Sequence, residues 1–339
     1  MERLVPKQID IEVTSKCNLR CKFCPQWKEG ANVGHMSFDL FKSIIDRVNF
    51  PCTIVPWLNG EPLLHPRYPE MIRYITDRKL PAYITTNGTI WLDELFEHIT
   101  ENTSVYQIIF SLDGLCDNKS KSIELARPGT DRVKVLGNID RFLKLKLEKG
   151  SAIDVALKIC RRGQDFEEIE NYIAYWLQRR GVSYVCVGKA LIEDQNDEMR
   201  VFPCQYSDNN FMVIKSDGRV VLCAYNNRMT NDPELAMARI KDDGTPLLDI
   251  YNNAKFTEFR EEQRKGHFTG PCATCGFAYT GQGFEGSIWF RDESLFPEPI
   301  YYHQDYYNEF FSLTRKWKPR AYYKQGYIRE PMELEPVAS

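Results

Sequence analysis

Cys17, Cys21 and Cys24 stand in the segment Thr14-Ser-Lys-Cys-Asn-Leu-Arg-Cys-Lys-Phe-Cys-Pro25, three thiols at a C-x3-C-x2-C spacing. A four-iron cubane normally takes four cysteines, one per iron. A loop that supplies three leaves one iron open to a ligand from outside the protein, and an open iron is where chemistry can happen. A zinc loop is the alternative. Zinc sites usually bring four ligands in pairs, however, and no fourth Cys or His lies within ten residues of Cys24. A second set, Cys204, Cys223, Cys272 and Cys275, ends in a C-x2-C knuckle. Four thiolates saturate a cubane and make it an electron relay or a structural staple. A tetrahedral all-thiolate zinc site would use the same four ligands. Cys52, Cys116, Cys160 and Cys186 fall outside both sets.

The 339 residues are 43% apolar and 27% charged, enough for a large core and one to two domains. A formal net charge of −3 gives no global attraction to nucleic acid or acidic membranes, and neither is an expected partner. The N-terminus has no apolar run of signal-peptide length, and no stretch reaches the roughly 18 apolar residues of a membrane span. The expected location is the cytoplasm, where reducing conditions make clustered cysteines metal ligands rather than disulfides.

Residues 9–13, 53–57, 82–86, 107–112, 154–159 and 184–188 are short apolar, β-branched runs that read as strands. Amphipathic stretches of helical period separate them. Ile169, Ile173 and Leu177 recur every four residues, and Val133, Leu136, Ile139 and Leu143 at steps of three or four. The alternation predicts a parallel α/β domain. Six βα units are too few for a closed eight-stranded barrel, so the expected fold is an open or partial (βα)6 barrel. Residues 210–215 and 219–223 then flank Ser216-Asp217-Gly218, a strong hairpin signal because glycine tolerates the positive φ of a tight turn. Residues 247–265 form a further amphipathic segment.

Ligands of parallel α/β folds bind at the carboxyl ends of the strands, and those ends carry unusual residues here. Leu58-Asn-Gly-Glu-Pro62 follows the second run, Thr85-Thr-Asn-Gly88 the third, and Ser111-Leu-Asp-Gly114 the fourth. Arg127-Pro-Gly129 and Val135-Leu-Gly-Asn-Ile139 come next in order.

The cysteine loop and these turns, taken in chain order, closely resemble the radical S-adenosylmethionine (radical SAM) superfamily, with Asn59 in place of the first glycine of its Gly-Gly-Glu-Pro motif. The resemblance implies a [4Fe-4S] cluster on Cys17, Cys21 and Cys24 whose open iron holds S-adenosylmethionine, cleaved reductively to a 5′-deoxyadenosyl radical. It assigns Asn59, Gly60, Glu61 and Pro62 to the methionyl ammonium. Thr86 and Asn87 would lie near the ribose, Ser111 and Asp113 at the cofactor's polar groups, and Arg127 opposite its carboxylate. Cys204, thirteen residues, Gly218, four residues, Cys223 and a later C-x2-C resemble the auxiliary-cluster domain of the SPASM family. The further cysteines of that family are missing after Cys275, which matches its single-cluster twitch form, known in aminocyclitol dehydrogenation. A second [4Fe-4S] cluster on Cys204, Cys223, Cys272 and Cys275 is implied, together with a flavodoxin- or ferredoxin-type electron donor.

The expected organisation is a core over residues 1–195, a small α+β auxiliary iron–sulfur domain over 196–290, and an aromatic extension over 291–339. In that extension Tyr302, Tyr306, Phe310 and Leu313 recur at helical spacing, as in a helix docked across the open side of the barrel. The stretch from Arg315 to Lys324 mixes cations with aromatics as single-strand binders do. A first strand at residue 9 leaves no room for a leader-peptide-binding domain ahead of it. That turns the expected substrate toward a polar small molecule, a sugar or aminocyclitol, oxidised with electron transfer to the auxiliary cluster. The alternatives are epimerisation or crosslinking of a peptide and, from a different class, a non-enzymatic iron–sulfur or zinc regulator. Epimerisation needs a hydrogen donor, and Cys116 and Cys160, after the fourth strand and at the end of the fifth, are the candidate thiols.

Overall fold

Apolar side chains at every second position set the strands, and the helices between them cover one face of the sheet. The computed structural model describes residues 3–21, 24, 34–101, 103–114, 127, 129–161, 166–189, 211–224, 232–273 and 287–290. β1 (Gln8–Ile11), β2 (Thr53–Val55), β3 (Ala82–Thr86), β4 (Val105–Ser111), β5 (Asp154–Arg161) and β6 (Tyr184–Lys189) lie side by side in chain order, each parallel to the next. The helices α1 (Phe38–Asp46), α2 (Tyr68–Asp77), α3 (Asp93–Ile99), α4 (Arg132–Lys149) and α5 (Phe166–Leu177) follow the first five strands in turn. Ile9, Ile11, Ile54, Ile84, Ile108, Phe110, Val155, Leu157, Ile159, Val185 and Val187 join helix residues in the main core. The alternate positions face the opposite, inner side, as strand geometry requires.

Both edges of this parallel unit are occupied. β7 (Phe211–Ile214) pairs parallel to β1, and the antiparallel strands β8 (Arg219–Val221) and β9 (Ala238–Arg239) extend the sheet from it. β10 (Ser287–Phe290) pairs antiparallel to β6 at the other edge. The first and sixth strands are not neighbours, so the barrel is partial, as the count of βα units required. Among the described residues no helix is long and apolar enough to cross a membrane.

Local details differ from the sequence reading for identifiable reasons. β1 ends at Ile11; Glu12 N still bonds to Ile214 O of β7, and beyond it Val13 O accepts from Met36 N instead of a strand neighbour. β2 stops at Val55 because Pro56, lacking an N–H, cannot extend the ladder. In α4 the buried face is Val135, Ile139, Phe142 and Leu143, while Val133, expected on it, is 83% exposed. The segment 247–265 is two helices, α6 (Leu247–Tyr251) and α7 (Ala254–Arg264), divided where the Asn253 side chain accepts from Phe256 N and caps the second. The hairpin turn forms as expected, with Gly218 at φ +83°. Cys116, Cys204, Cys275 and the extension from residue 291 lie outside the described residues.

Candidate active site

The three-cysteine loop leaves the end of β1 and returns beside it. Thr14 bridges His35, Ser15 N donates to Gly34 O at 3.0 Å, and Gly34 N donates to Ser15 Oγ at 2.8 Å. These bonds close the loop at its base. Cys17, Cys21 and Cys24 are half-buried, and Cys24 N donates to Cys21 O at 3.0 Å. Burial raises the pKa of Cys17, against the hydrogen bond that Leu19 N donates to its Sγ at 3.4 Å. Burial pushes Cys21 up to about 11, with the Arg127 charge pulling the other way. Such thiols keep their protons until a metal displaces them. Three half-buried sulfurs in one closed loop, with a backbone N–H already donating to one of them, fit a cubane that uses three protein ligands.

The turn after β2 packs directly on this loop. Gly60 sits at φ +75°, and a Cβ there would stand 2.6 Å from the carbonyl oxygens of both Thr14 and Lys16. Only glycine meets both demands. Glu61 N then donates to Lys16 O at 2.8 Å. The buried Glu61 carboxylate accepts from Thr86 Oγ1 at 2.8 Å, Asn87 N at 2.7 Å and Leu63 N at 3.2 Å, capping a 3-10 turn (Pro62–Leu64) that starts with the buried Pro62. Burial pushes the Glu61 pKa up to about 7, against these hydrogen bonds and the Arg127 charge.

The turn after β3 is tied to the same loop. Asn87 Nδ2 donates to Asn18 Oδ1 at 3.0 Å, and Asn18 Nδ2 donates to Thr89 Oγ1 at 2.8 Å. From α4, Asn138 Nδ2 donates to Gly88 O at 2.8 Å. After β4, Arg127 donates through Nε to Asp113 Oδ2, through one terminal nitrogen to Ser111 O and through the other to Ser111 Oγ, each at 2.8 Å. Asp113 Oδ1 accepts from Cys160 N at 3.0 Å. Burial works against the charge on Arg127, yet Asp113, Cys21 and Cys160 hold its pKa above the ordinary guanidinium value.

The structure thus gathers Cys17, Cys21, Cys24, Asn59, Gly60, Glu61, Pro62, Thr86, Asn87, Ser111, Asp113 and Arg127 at one end of the sheet. Cys160 joins them through its backbone. Cys223 follows β8, half-buried, and Cys272 is buried in a 3-10 turn (Gly270–Cys272); both pack on the main core. Cys186 is buried against Ile109 and Ala156, a small apolar residue of the inner face, and Cys52 is buried just before β2.

Sequence reading missed Asp10, Glu12, Lys158 and Lys215. A signal was present, because Gln8, Asp10 and Glu12 alternate with Ile9, Ile11 and Val13, which marks a polar inner face on β1. Gln8 Nε2 donates to Asp10 Oδ1 at 2.6 Å and to Tyr83 Oη at 3.3 Å across that face. Burial pushes Asp10 up to about 7, opposed by the Gln8 bond. Lys158 alternates with the core residues Leu157 and Ile159 and lies in register between Ser111 and Cys186.

A sheet of six parallel strands with a three-cysteine loop after the first and cofactor-type turns after the next three defines a class. Residues 11–201 match the family model of the radical SAM superfamily, and the chain belongs to that superfamily. Residues 204–276 match the SPASM iron–sulfur cluster-binding domain. The protein is therefore a radical SAM enzyme, using a [4Fe-4S] cluster with S-adenosylmethionine and further iron–sulfur chemistry in its SPASM domain. It is 37% identical over 315 residues to a tungsten-containing aldehyde ferredoxin oxidoreductase cofactor-modifying protein of Pyrococcus furiosus, covering 75% of this chain and 83% of the relative. Its fold resembles that of BtrN in complex with AdoMet and 2-DOIA, with a TM-score of 0.53, 20% identity, and 81% and 93% of the two chains covered. Streptococcus suis SuiB bound to precursor peptide SuiA shares the fold at a TM-score of 0.59 and 14% identity, with 76% and 67% covered.

Proposed function

We propose that this enzyme removes a hydrogen atom from a polar small molecule of the sugar or aminocyclitol class and completes a two-electron oxidation through its auxiliary cluster. The observation that carries the reading is the polar inner face of the sheet. Gln107 Oε1 is buried there and finds no hydrogen-bond partner among the described residues. Lys158 has no carboxylate at ion-pair distance among them, and Asp10 and Tyr83 share the same face. A buried acceptor with no hydrogen-bond partner among the described residues, beside these polar neighbours, suits a ligand rich in hydroxyl or amino groups. The 37% identical relative, by its name a cofactor-modifying protein, sides with a small molecule over a peptide.

When bound, the cluster and S-adenosylmethionine supply the carbon radical that takes the hydrogen atom. Cys17, Cys21 and Cys24 hold that cluster in this reading, and Cys204, Cys223, Cys272 and Cys275 hold the second. Glu61, with Asn59 and Gly60 beside it, takes the cofactor's ammonium, Thr86 and Asn87 its ribose side, and Arg127, fixed by Asp113 and Ser111, its carboxylate. In this reading the attacked carbon bears a hydroxyl, and loss of one hydrogen atom, the hydroxyl proton to solvent and one electron would leave a carbonyl; the group that Cys204, Cys223, Cys272 and Cys275 would hold could take that electron. A flavodoxin- or ferredoxin-type donor supplies the starting electron. Residues 1–195 form the catalytic core in this scheme, 196–290 the auxiliary domain, and 291–339 an extension.

Product analysis in heavy water tests the reading. With strong reductant and candidate sugars, aminocyclitols and cofactor precursors, 5′-deoxyadenosine should form with a product two hydrogens poorer, in the parent and in Cys160→Ala and Cys116→Ala alike. Deuterium at the attacked carbon, lost in either cysteine variant, would replace oxidation by epimerisation and identify the donor.

A further inference from the structure

Glu12, just past β1, is buried and engaged from two sides. From the turn after β2, Asn59 Nδ2 donates to Oε2 at 3.1 Å. From the hairpin, Lys215 Nζ forms an ion pair with the same oxygen, and Ser216 donates to Oε1 from Oγ at 3.0 Å and from N at 3.4 Å. The Glu12 and Lys215 side chains are 1% and 5% exposed. A carboxylate so deeply buried is tolerated only when paired and hydrogen-bonded. Apolar residues of similar volume would hold two segments together as well as a buried ion pair does, and often better. What the charged arrangement adds is direction: each oxygen has assigned donors, and one of them is Asn59.

Asn59 in turn leads straight into Gly60, packed so closely on the Thr14 and Lys16 carbonyls that a Cβ would clash with both, and Glu61, whose N–H is bonded to Lys16 O. Residues 59–61 are therefore held on one side by the cysteine loop and on the other by Glu12. The second contact depends on Lys215 and Ser216, and the strand leaving that hairpin runs toward Cys223. We infer that Glu12 is a positioning residue through which the hairpin of the auxiliary-cluster segment sets the turn that receives S-adenosylmethionine. The inference rests on the assignment of residues 59–61 to the cofactor.

A double-mutant cycle on the anaerobically reconstituted full chain separates this from a plain structural staple. The readout is the Kd for S-adenosylmethionine, by equilibrium dialysis against the unreduced enzyme, with iron content checked in every variant. Lys215→Met and Asn59→Ala should each weaken binding about tenfold, a coupling of ordinary size for residues acting through a neighbour. Asn59→Ala with Lys215→Met should bind no more weakly than the weaker single variant, because both cut one path. Losses that multiply in the double variant, or a Lys215→Met enzyme with full iron and a Kd within about twofold of the parent, would overturn the inference. If Lys215→Met does not load iron, Ser216→Ala takes its place in the same cycle, since it removes a bond to Glu12 without stranding a buried charge; the same non-additivity is expected and additivity again overturns it. A parent enzyme with full iron that fails to bind S-adenosylmethionine would instead sink the assignment of the turn.

Discussion

Arg127 donates from Nε to Asp113 Oδ2 at 2.8 Å, with the two side chains 7% and 0% exposed. The second oxygen of the same carboxylate accepts from Cys160 N on β5, so one ion pair fixes the geometry between the turn after β4 and the end of the next strand. Removing one partner of a buried pair strands the other charge. Arg127→Met should destabilise the fold by about 3–5 kcal/mol, measured by chemical unfolding of the cofactor-free chain. Arg127→Met with Asp113→Asn should recover much of that stability. It should not recover cofactor binding, which in our proposal needs the guanidinium. Recovery of both would remove Arg127 from the cofactor site.

Gly60→Ala tests the close packing between the turn after β2 and the cysteine loop. The added methyl would sit 2.6 Å from two carbonyl oxygens on a backbone at φ +75°. The conformation alone costs a non-glycine residue about 1–3 kcal/mol, and the clash adds to it. We expect a lower Tm and iron loading at the first site well below that of the parent. Wild-type iron content and Tm in Gly60→Ala would show that the loop yields freely there.

The Glu61 carboxyl gives a pH dependence with a defined sign. Its pKa, pushed up by burial to about 7, lies above the ordinary carboxyl value, so the free enzyme is increasingly protonated at this position below pH 7. A cationic ammonium prefers the ionised form. S-adenosylmethionine affinity should therefore rise with pH by up to about tenfold per unit below 7 and flatten above it. Glu61→Gln should bind weakly and lose the slope. For the cofactor-free fold the sign is opposite. The stability associated with keeping this carboxyl protonated is present below the unfolded value near 4.5 and is lost as pH rises through 7.

Metal analysis tests the two cysteine sets. Reconstituted protein should hold about eight irons per chain, and the Cys17→Ala, Cys21→Ala, Cys24→Ala variant about four. Zinc at the second site, with only about four irons in the parent, would replace the auxiliary cluster on Cys204, Cys223, Cys272 and Cys275 by a structural metal.

The six parallel strands were legible because each combines β-branched residues with a flanking stretch of helical period, and the turns that meet at the strand ends because glycine, asparagine and acidic residues follow strand after strand in order. The hairpin at 216–218 was legible from its turn chemistry. Its docking on β1 was not, since parallel pairing between distant segments leaves no local periodicity to read. Val133 shows another limit. A stripe at steps of three or four fits more than one helix face, and packing chose the face through Val135 and Phe142. Glu12 and Lys215 were invisible as a pair because each is an ordinary charge until the fold buries both.

The seating of β7 against β1 also has a consequence for biosynthesis. β1 leaves the ribosome long before the strand that covers its outer edge, since Lys215 lies 203 residues beyond Glu12. Throughout that interval the nascent chain carries a bare row of N–H and C=O groups beside Ile9 and Ile11, the kind of edge on which chains pair with their neighbours and aggregate. A fragment ending before residue 211 would keep that edge permanently open. The SPASM hairpin thus shields the outer edge of β1, and expression of the barrel alone should be limited by solubility before any question of chemistry arises.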